Sequence, residues 1–170
     1  MENLEIYQFI KELLSKSSSY YLKEPKIATK ETIKGQTYYS PYKLIDKKPS
    51  TNLIELHLKK EITLAIDLST IDGFYIEFQG EDEKSFFLII NYALKKLNIS
   101  KVVILPPQYN GVIGAFIITK DKDKLKKLLE NKLLEYYPYR VWKILPKYSH
   151  PSIANIFILP REIISLKDIS

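Results

Sequence analysis

The chain has 170 residues, of which 45% are hydrophobic, and a formal net charge of +6 at pH 7. This length suffices for one domain with a buried core, and no apolar run reaches the length that would cross a membrane. The absence of cysteine excludes disulfides, thiolate catalysis and cysteine metal sites. The first residues are not typical of a signal peptide, so we expect a cytoplasmic protein. Abundant Lys, Ile and Tyr beside a single Met favour a thermophilic source, such as an archaeon or its virus, or an AT-rich genome.

Three segments follow one another along the chain. Residues 1–16 are predicted to form an amphipathic helix, because apolar residues recur there at helical spacing. Residues 17–52 form an arm with five tyrosines, three prolines and one glycine, and with neither the helical nor the strand period. Seven lysines and three acids give this arm a net charge of +4. Its tyrosines argue against disorder, so we expect short extended pieces lying partly against the body.

Residues 53–170 are predicted to form a single α+β domain. Alternating apolar residues indicate strands at 53–58 and 62–68, joined by a short hairpin connection at 59–61. The pattern then predicts a strand at 74–78, a helix at 83–97, strands at 101–105 and 112–119, a helix at 121–135, and strands at 139–145 and 153–159.

The order of elements from residue 74 to residue 145 is β-α-β-β-α-β. This order is similar to that of ferredoxin-like domains and RNA-recognition-motif domains. The resemblance implies one mostly antiparallel sheet with both helices on the same side. It implies no function, because this fold carries many unrelated activities.

Asp67 is the one candidate for catalysis. Its place on a strand resembles the metal-binding aspartate of RNase H-like nucleases, and Asp72 and Glu77 lie near it in sequence. Archaeo-eukaryotic primases also carry acids on strands of an RRM-like half, but this chain has Ile66-Asp67-Leu68 where they have an Asp-x-Asp pair. Hydrolysis with two metal ions needs several converging carboxylates. We therefore interpret Asp67 as a carboxylate on the solvated face of an edge strand.

The remaining chemistry is sparse. His57 and His150 show no zinc-ligand spacing, so we expect them to be solvent-facing or hydrogen-bonded structural residues. Neither a nucleophile motif nor a phosphate-binding glycine loop is present. The sequence therefore predicts no metal site and no cofactor.

Lysines and aromatic residues are concentrated in two places, the arm and a second patch at residues 136–150. Lysine can neutralise phosphates and aromatic rings can stack on bases, which is how single-stranded nucleic acid is bound. The candidate nucleic-acid-binding residues are Lys23, Lys26, Lys30, Lys34, Tyr38, Tyr39, Lys43, Lys47, Lys48, Tyr139, Arg140, Trp142, Lys143 and Lys147.

The resulting hypothesis is a non-catalytic accessory protein that binds single-stranded DNA or RNA. One alternative is a subunit that binds a protein partner or forms a homodimer, since Tyr and Trp are also enriched at interfaces. The other is a divergent or degenerate RNase H-like or primase-like enzyme that uses Asp67.

Overall fold

The structure, a computed structural model, describes residues 2–24, 29–79, 86–87, 91, 95, 101–109, 111–136 and 142–164. The chain is a mixed α+β protein with two compact units. One unit contains residues 1–71 and 145–161, and the other contains residues 72–144 and 162–170. The range 53–170, which the sequence assigns to one domain, is thus shared between the two units. Among the described residues, no helix is both long and apolar enough to cross a bilayer.

The first unit is built on a four-stranded antiparallel sheet with the strand order β10-β5-β1-β4. A separate two-stranded sheet pairs β2 with β3. Its elements are α1 (Glu2–Lys16), β1 (Tyr20–Lys23), β2 (Thr29–Ile33), β3 (Gln36–Ser40), β4 (Tyr42–Ile45), α2 (Thr51–Leu58), β5 (Leu64–Asp67), a 3₁₀ turn (Ile153–Asn155) and β10 (Ile156–Ile158).

The predicted N-terminal helix is confirmed as α1. Its apolar stripe is buried, with exposed fractions of 0–2% for Ile6, Phe9, Ile10, Leu13 and Leu14. Burying a side chain of this size contributes roughly 1.5–3 kcal/mol, so the stripe is a main source of stability in this unit. The helix ends before Tyr20, whose hydroxyl donates to the carbonyl oxygens of Leu14 and Ser17.

The predicted strand at 53–58 is wrong, because these residues form α2. The hydroxyl of Ser50 accepts a hydrogen bond from the Leu53 amide and caps the helix at its N-terminus. Ile54 and His57, three residues apart, are the buried residues of this helix. The hairpin expected at 59–61 is therefore a helix-to-strand connection.

The second unit contains β6 (Gly73–Phe78), β7 (Lys101–Leu105), β8 (Ile113–Ile118), α3 (Lys122–Tyr136) and β9 (Trp142–Leu145). The strand order is β7-β8-β6-β9, and β8 pairs antiparallel with both β6 and β7. These elements agree with the predicted strands and with the predicted second helix to within a few residues. Of the predicted helix 83–97, Phe86, Phe87, Asn91 and Lys95 are helical, and the other positions lie outside the described residues.

One face of this sheet forms the core of the second unit. Phe74, Ile76 and Phe78 point to that face and pack in one cluster with Phe86 and with Leu125 and Leu129 of α3. The opposite face of β6 is equally buried, since Tyr75 and Glu77 have exposed fractions of 0%. Because both of its faces are buried, β6 presents no aromatic ring to solvent.

Candidate functional site

The arm contains a regular β-hairpin, which we call the β2–β3 hairpin (residues 29–40). Its strands pair from Thr29 opposite Ser40 to Ile33 opposite Gln36. The two turn residues, Lys34 and Gly35, have φ values of 51° and 79°. Positive φ at both central residues is the requirement of a type I′ turn, which suits the twist of a two-residue hairpin. The short extended pieces expected of the arm are thus strands β1 to β4.

The pairing register gives this hairpin two different faces. Side chains directly opposite one another share a face, and neighbours along a strand alternate. One face, the lysine face, carries Lys30, Thr32, Thr37 and Tyr39, and all four residues are exposed. The other, the glutamate face, carries Glu31, Ile33, Gln36 and Tyr38. The two adjacent tyrosines therefore point in opposite directions.

The glutamate face holds the hairpin to the loop at residues 146–152, which we call the 146–152 loop, and to the turn that follows it. The carboxylate of Glu31 accepts the Ser152 hydroxyl at 2.7 Å and the Ile153 amide at 2.7 Å. Charge-assisted hydrogen bonds of this kind are about twice as strong as neutral ones. Glu31 therefore joins the arm to the end of the loop that carries Lys147 of the second candidate patch.

The 146–152 loop is itself fixed by two buried side chains. Asn155 accepts the Tyr148 amide and donates to the carbonyl oxygens of Tyr148 and His150. Asp67 accepts the Ser152 amide at 2.8 Å. The loop presents Lys147, whose Nζ lies 5.5 Å from the centre of the Tyr148 ring. Tyr148 in turn stacks on the exposed His150 ring, with centroids 5.3 Å apart.

The candidate lysines of the arm are accessible where the structure describes them. Lys23, Lys30, Lys34, Lys43, Lys47 and Lys48 are all exposed. Across the described part of the chain, none of them joins an ion pair, and the ion pair found there is Lys16–Glu12 at 3.3 Å. Tyr39 and Tyr38 keep 59% and 37% of their surface exposed. These side chains are available to a ligand in solution.

The second candidate patch is divided between the two units. Lys147 belongs to the first unit, together with the arm. Lys143 belongs to the second unit, where its Nζ lies 4.7 Å from the centre of the Tyr109 ring. Trp142 contributes backbone to β9. Lys26, Tyr139 and Arg140 lie outside the described residues.

Asp67 is not on a solvated edge, so that interpretation is wrong. It is 1% exposed, and its strand β5 lies between β10 and β1. Its Oδ1 accepts the Ser69 amide at 2.7 Å, and its Oδ2 accepts the Ser152 amide. Within the described residues, no three His, Cys, Asp or Glu side chains are grouped closely enough to hold a metal ion. The geometry of Asp67 is that of a structural anchor.

The two histidines differ in environment. His57 is buried, its Nδ1 accepts the Leu64 amide at 3.0 Å, and its Nε2 therefore donates to the Leu159 carbonyl at 2.8 Å. Burial and the nearby Arg161 guanidinium lower the pKa of His57 to about 4. His57 thus matches the hydrogen-bonded structural alternative, whereas His150 is exposed.

Sequence reasoning missed the anchoring residues Glu31, Ser152 and Asn155, and it named Glu77 only as an acid near Asp67 in sequence. Glu77 lies buried in the second unit, where its carboxylate accepts the Tyr75 hydroxyl and the backbone amides of Gln108, Tyr109 and Gly111. Burial and the Glu77 carboxylate raise the pKa of Tyr75. A sequence signal for this role existed in the Pro-Pro-Gln-Tyr-Asn-Gly segment that follows β7. The backbone amides of such a loop need hydrogen-bond acceptors, and a nearby carboxylate can supply them.

Part of the chain matches the model of a known protein family. Residues 8–77, less than half of the chain, match a family model described as a domain of unknown function (DUF1882). The match begins within α1, runs through the arm and α2, and ends in β6. No curated protein matches the chain.

Proposed function

We propose that this protein is a non-catalytic accessory protein that binds single-stranded DNA or RNA, and that it acts in the cytoplasm. The observation that carries the proposal is the exposed β2–β3 hairpin, which presents exposed lysines and Tyr39 beside a hydrogen-bonded loop with a further lysine and a ring stack. Lysines of this kind neutralise phosphates, and exposed rings stack on bases.

Energetic considerations favour weak binding with little base preference. Each phosphate neutralised on a single strand adds about 0.7 to the slope of log affinity against log salt concentration. Each stacked base contributes about 1–3 kcal/mol and is tolerant of sequence. The chain has only two arginines. Arginine is the residue best suited to binding base edges and phosphates through two parallel hydrogen bonds, so its scarcity favours weak binding with little base preference.

We also propose a ferredoxin-like arrangement for residues 74–145. The strand order β7-β8-β6-β9 supports it, as does the packing of Phe86 and α3 residues on the same sheet face. RNA-recognition motifs use exposed aromatic residues on the sheet to stack bases. Here Tyr75 and Phe116 are 0% exposed, so the proposal places binding on the arm and its neighbouring loop instead of on this sheet.

A subunit that binds a protein partner, or a second copy of the chain, is the second candidate function. One observation favours it: β4 lies at the end of its sheet and exposes 54% of Leu44. Strands at the edge of a sheet are ready sites for pairing with another chain. The divergent-nuclease hypothesis has weaker support, because both oxygens of Asp67 already accept backbone amides.

The experiment that separates these functions is a titration of labelled oligo-dT and oligo-rU across a salt series, beside size-exclusion chromatography with light scattering. Single-strand binding predicts measurable affinity at low salt that falls steeply as salt increases. Tight self-association without oligonucleotide binding would reject the proposal in favour of the interaction subunit.

A further inference from the structure

The two faces of the β2–β3 hairpin differ in charge. The lysine face contains Lys30, two threonines and Tyr39, and no acid. Thr32 and Thr37 lie opposite each other, with their hydroxyl oxygens 3.4 Å apart. The exposed Lys34 at the turn adds a second cation at the tip. This face is therefore complementary to a polyanion.

The glutamate face is directed toward the rest of the first unit. Glu31 binds Ser152 and Ile153, and the hydroxyl of Tyr38 donates to the side-chain oxygen of Gln36 at 3.2 Å. A polyanion on this face would meet the Glu31 carboxylate, and it would have to break contacts that hold the hairpin in place. The two tyrosines, adjacent in sequence, are thus unequal as binding residues.

We propose that, of the two faces of the hairpin, only the lysine face contacts nucleic acid, with Tyr39 stacking on an unpaired base and Lys30 binding the adjoining phosphate. Lys30 and Tyr39 lie directly opposite in the register, so their Cβ atoms are about 4.5–5.5 Å apart. The lysine side chain is long enough to reach the backbone of a nucleotide whose base covers the ring. The ligand is a single strand because the faces of its bases are accessible to an aromatic ring, whereas those of a duplex are stacked. This inference rests on the proposed function.

A matched pair of variants tests the assignment, Tyr39→Val and Tyr38→Val. Valine favours strands, so each variant removes one ring from the same hairpin without removing strand propensity. We expect Tyr39→Val to weaken oligo-dT binding roughly 5- to 150-fold, the range that stacking on one ring supplies. Tyr38→Val should stay within about twofold of the wild type, and Tyr39→Phe, which keeps the ring, should bind like the wild type. Photo-crosslinking of an iodouracil-substituted oligonucleotide should label Tyr39.

The outcomes distinguish this inference from the proposed function. Failure of the wild type to bind oligo-dT would reject the proposed function and the inference together. Wild-type binding with loss in Tyr38→Val, or with equal loss in both variants, would reject the face assignment alone. Equal affinity for poly-glutamate or for duplex DNA, unchanged in Tyr39→Val, would show a simple polyanion surface and would also overturn the assignment. Equal melting temperatures of the wild type and the three variants establish that the hairpin variants are folded.

Discussion

Buried polar residues decide much of the local structure of the first unit. The proton on Nε2 of His57 is fixed by the Leu64 amide, which donates to Nδ1. Protonating Nδ1 would place two donors against each other, in agreement with the lowered pKa. The only sequence signal for this role was a histidine among apolar residues, which fitted a strand as well as a helix.

We predict that His57 makes the stability of the protein depend on pH between about 6.5 and 4. The pKa of His57 is lowered to about 4 in the folded protein, so between these pH values the unfolded chain binds more protons. Stability therefore falls as the pH decreases, by on the order of 3 kcal/mol from this residue. Urea unfolding at several pH values measures it. The difference between wild type and His57→Gln should shrink from pH 7 to pH 4, and a constant difference would contradict the prediction.

We predict a structural effect and no catalytic effect for Asp67→Asn. The amide has one acceptor oxygen where the carboxylate has two, so either the Ser69 or the Ser152 amide loses its partner. Leaving a buried donor unsatisfied costs about 1–3 kcal/mol. Thermal unfolding measures the loss, and Asp72→Asn, at an exposed position, is the matched control that should change little. A Mg²⁺- or Mn²⁺-dependent nuclease activity that disappears in folded Asp67→Asn would contradict the structural role.

At the scale of elements, the spacing of apolar residues predicted the helices and strands of the second unit better than those of the first. The strands at β7 and β8 are almost wholly apolar, and α3 repeats leucine at helical spacing, so each pattern fits one structure. The six residues at 53–58 alternate between apolar and polar, and so short a segment is compatible with either a strand or a helix. The hydrogen bond from the Leu53 amide to the Ser50 hydroxyl stabilises the helix. The β2–β3 hairpin escaped detection because its residues are mostly exposed, which leaves no apolar period. The sequence feature that indicates this hairpin is Lys34-Gly35, a dipeptide with the glycine that a tight turn favours, between segments rich in the strand-forming residues threonine and tyrosine.

At the scale of the whole molecule, the candidate site was predictable in composition and not in geometry. The charge and aromatic content of the arm can be counted from the sequence. The bond between Glu31 and Ser152 joins residues 121 positions apart, and no local pattern encodes such a distant pair. The division of the chain into two units has the same origin, since residues 145–161 return to the first unit through β10.

The salt dependence of oligo-dT binding in two matched quadruple variants tests the central claim most directly. One variant changes Lys30, Lys34, Lys43 and Lys47 to Gln, and the other changes Lys59, Lys120, Lys124 and Lys127, exposed lysines outside the arm. Both variants lose the same charge. We predict that the arm variant loses affinity and that the magnitude of its slope of log affinity against log salt concentration falls by up to about 3. The control variant should keep the wild-type slope. Both variants should keep the wild-type melting temperature. An unchanged slope in the folded arm variant, or an equal fall in both variants, would contradict binding through the arm.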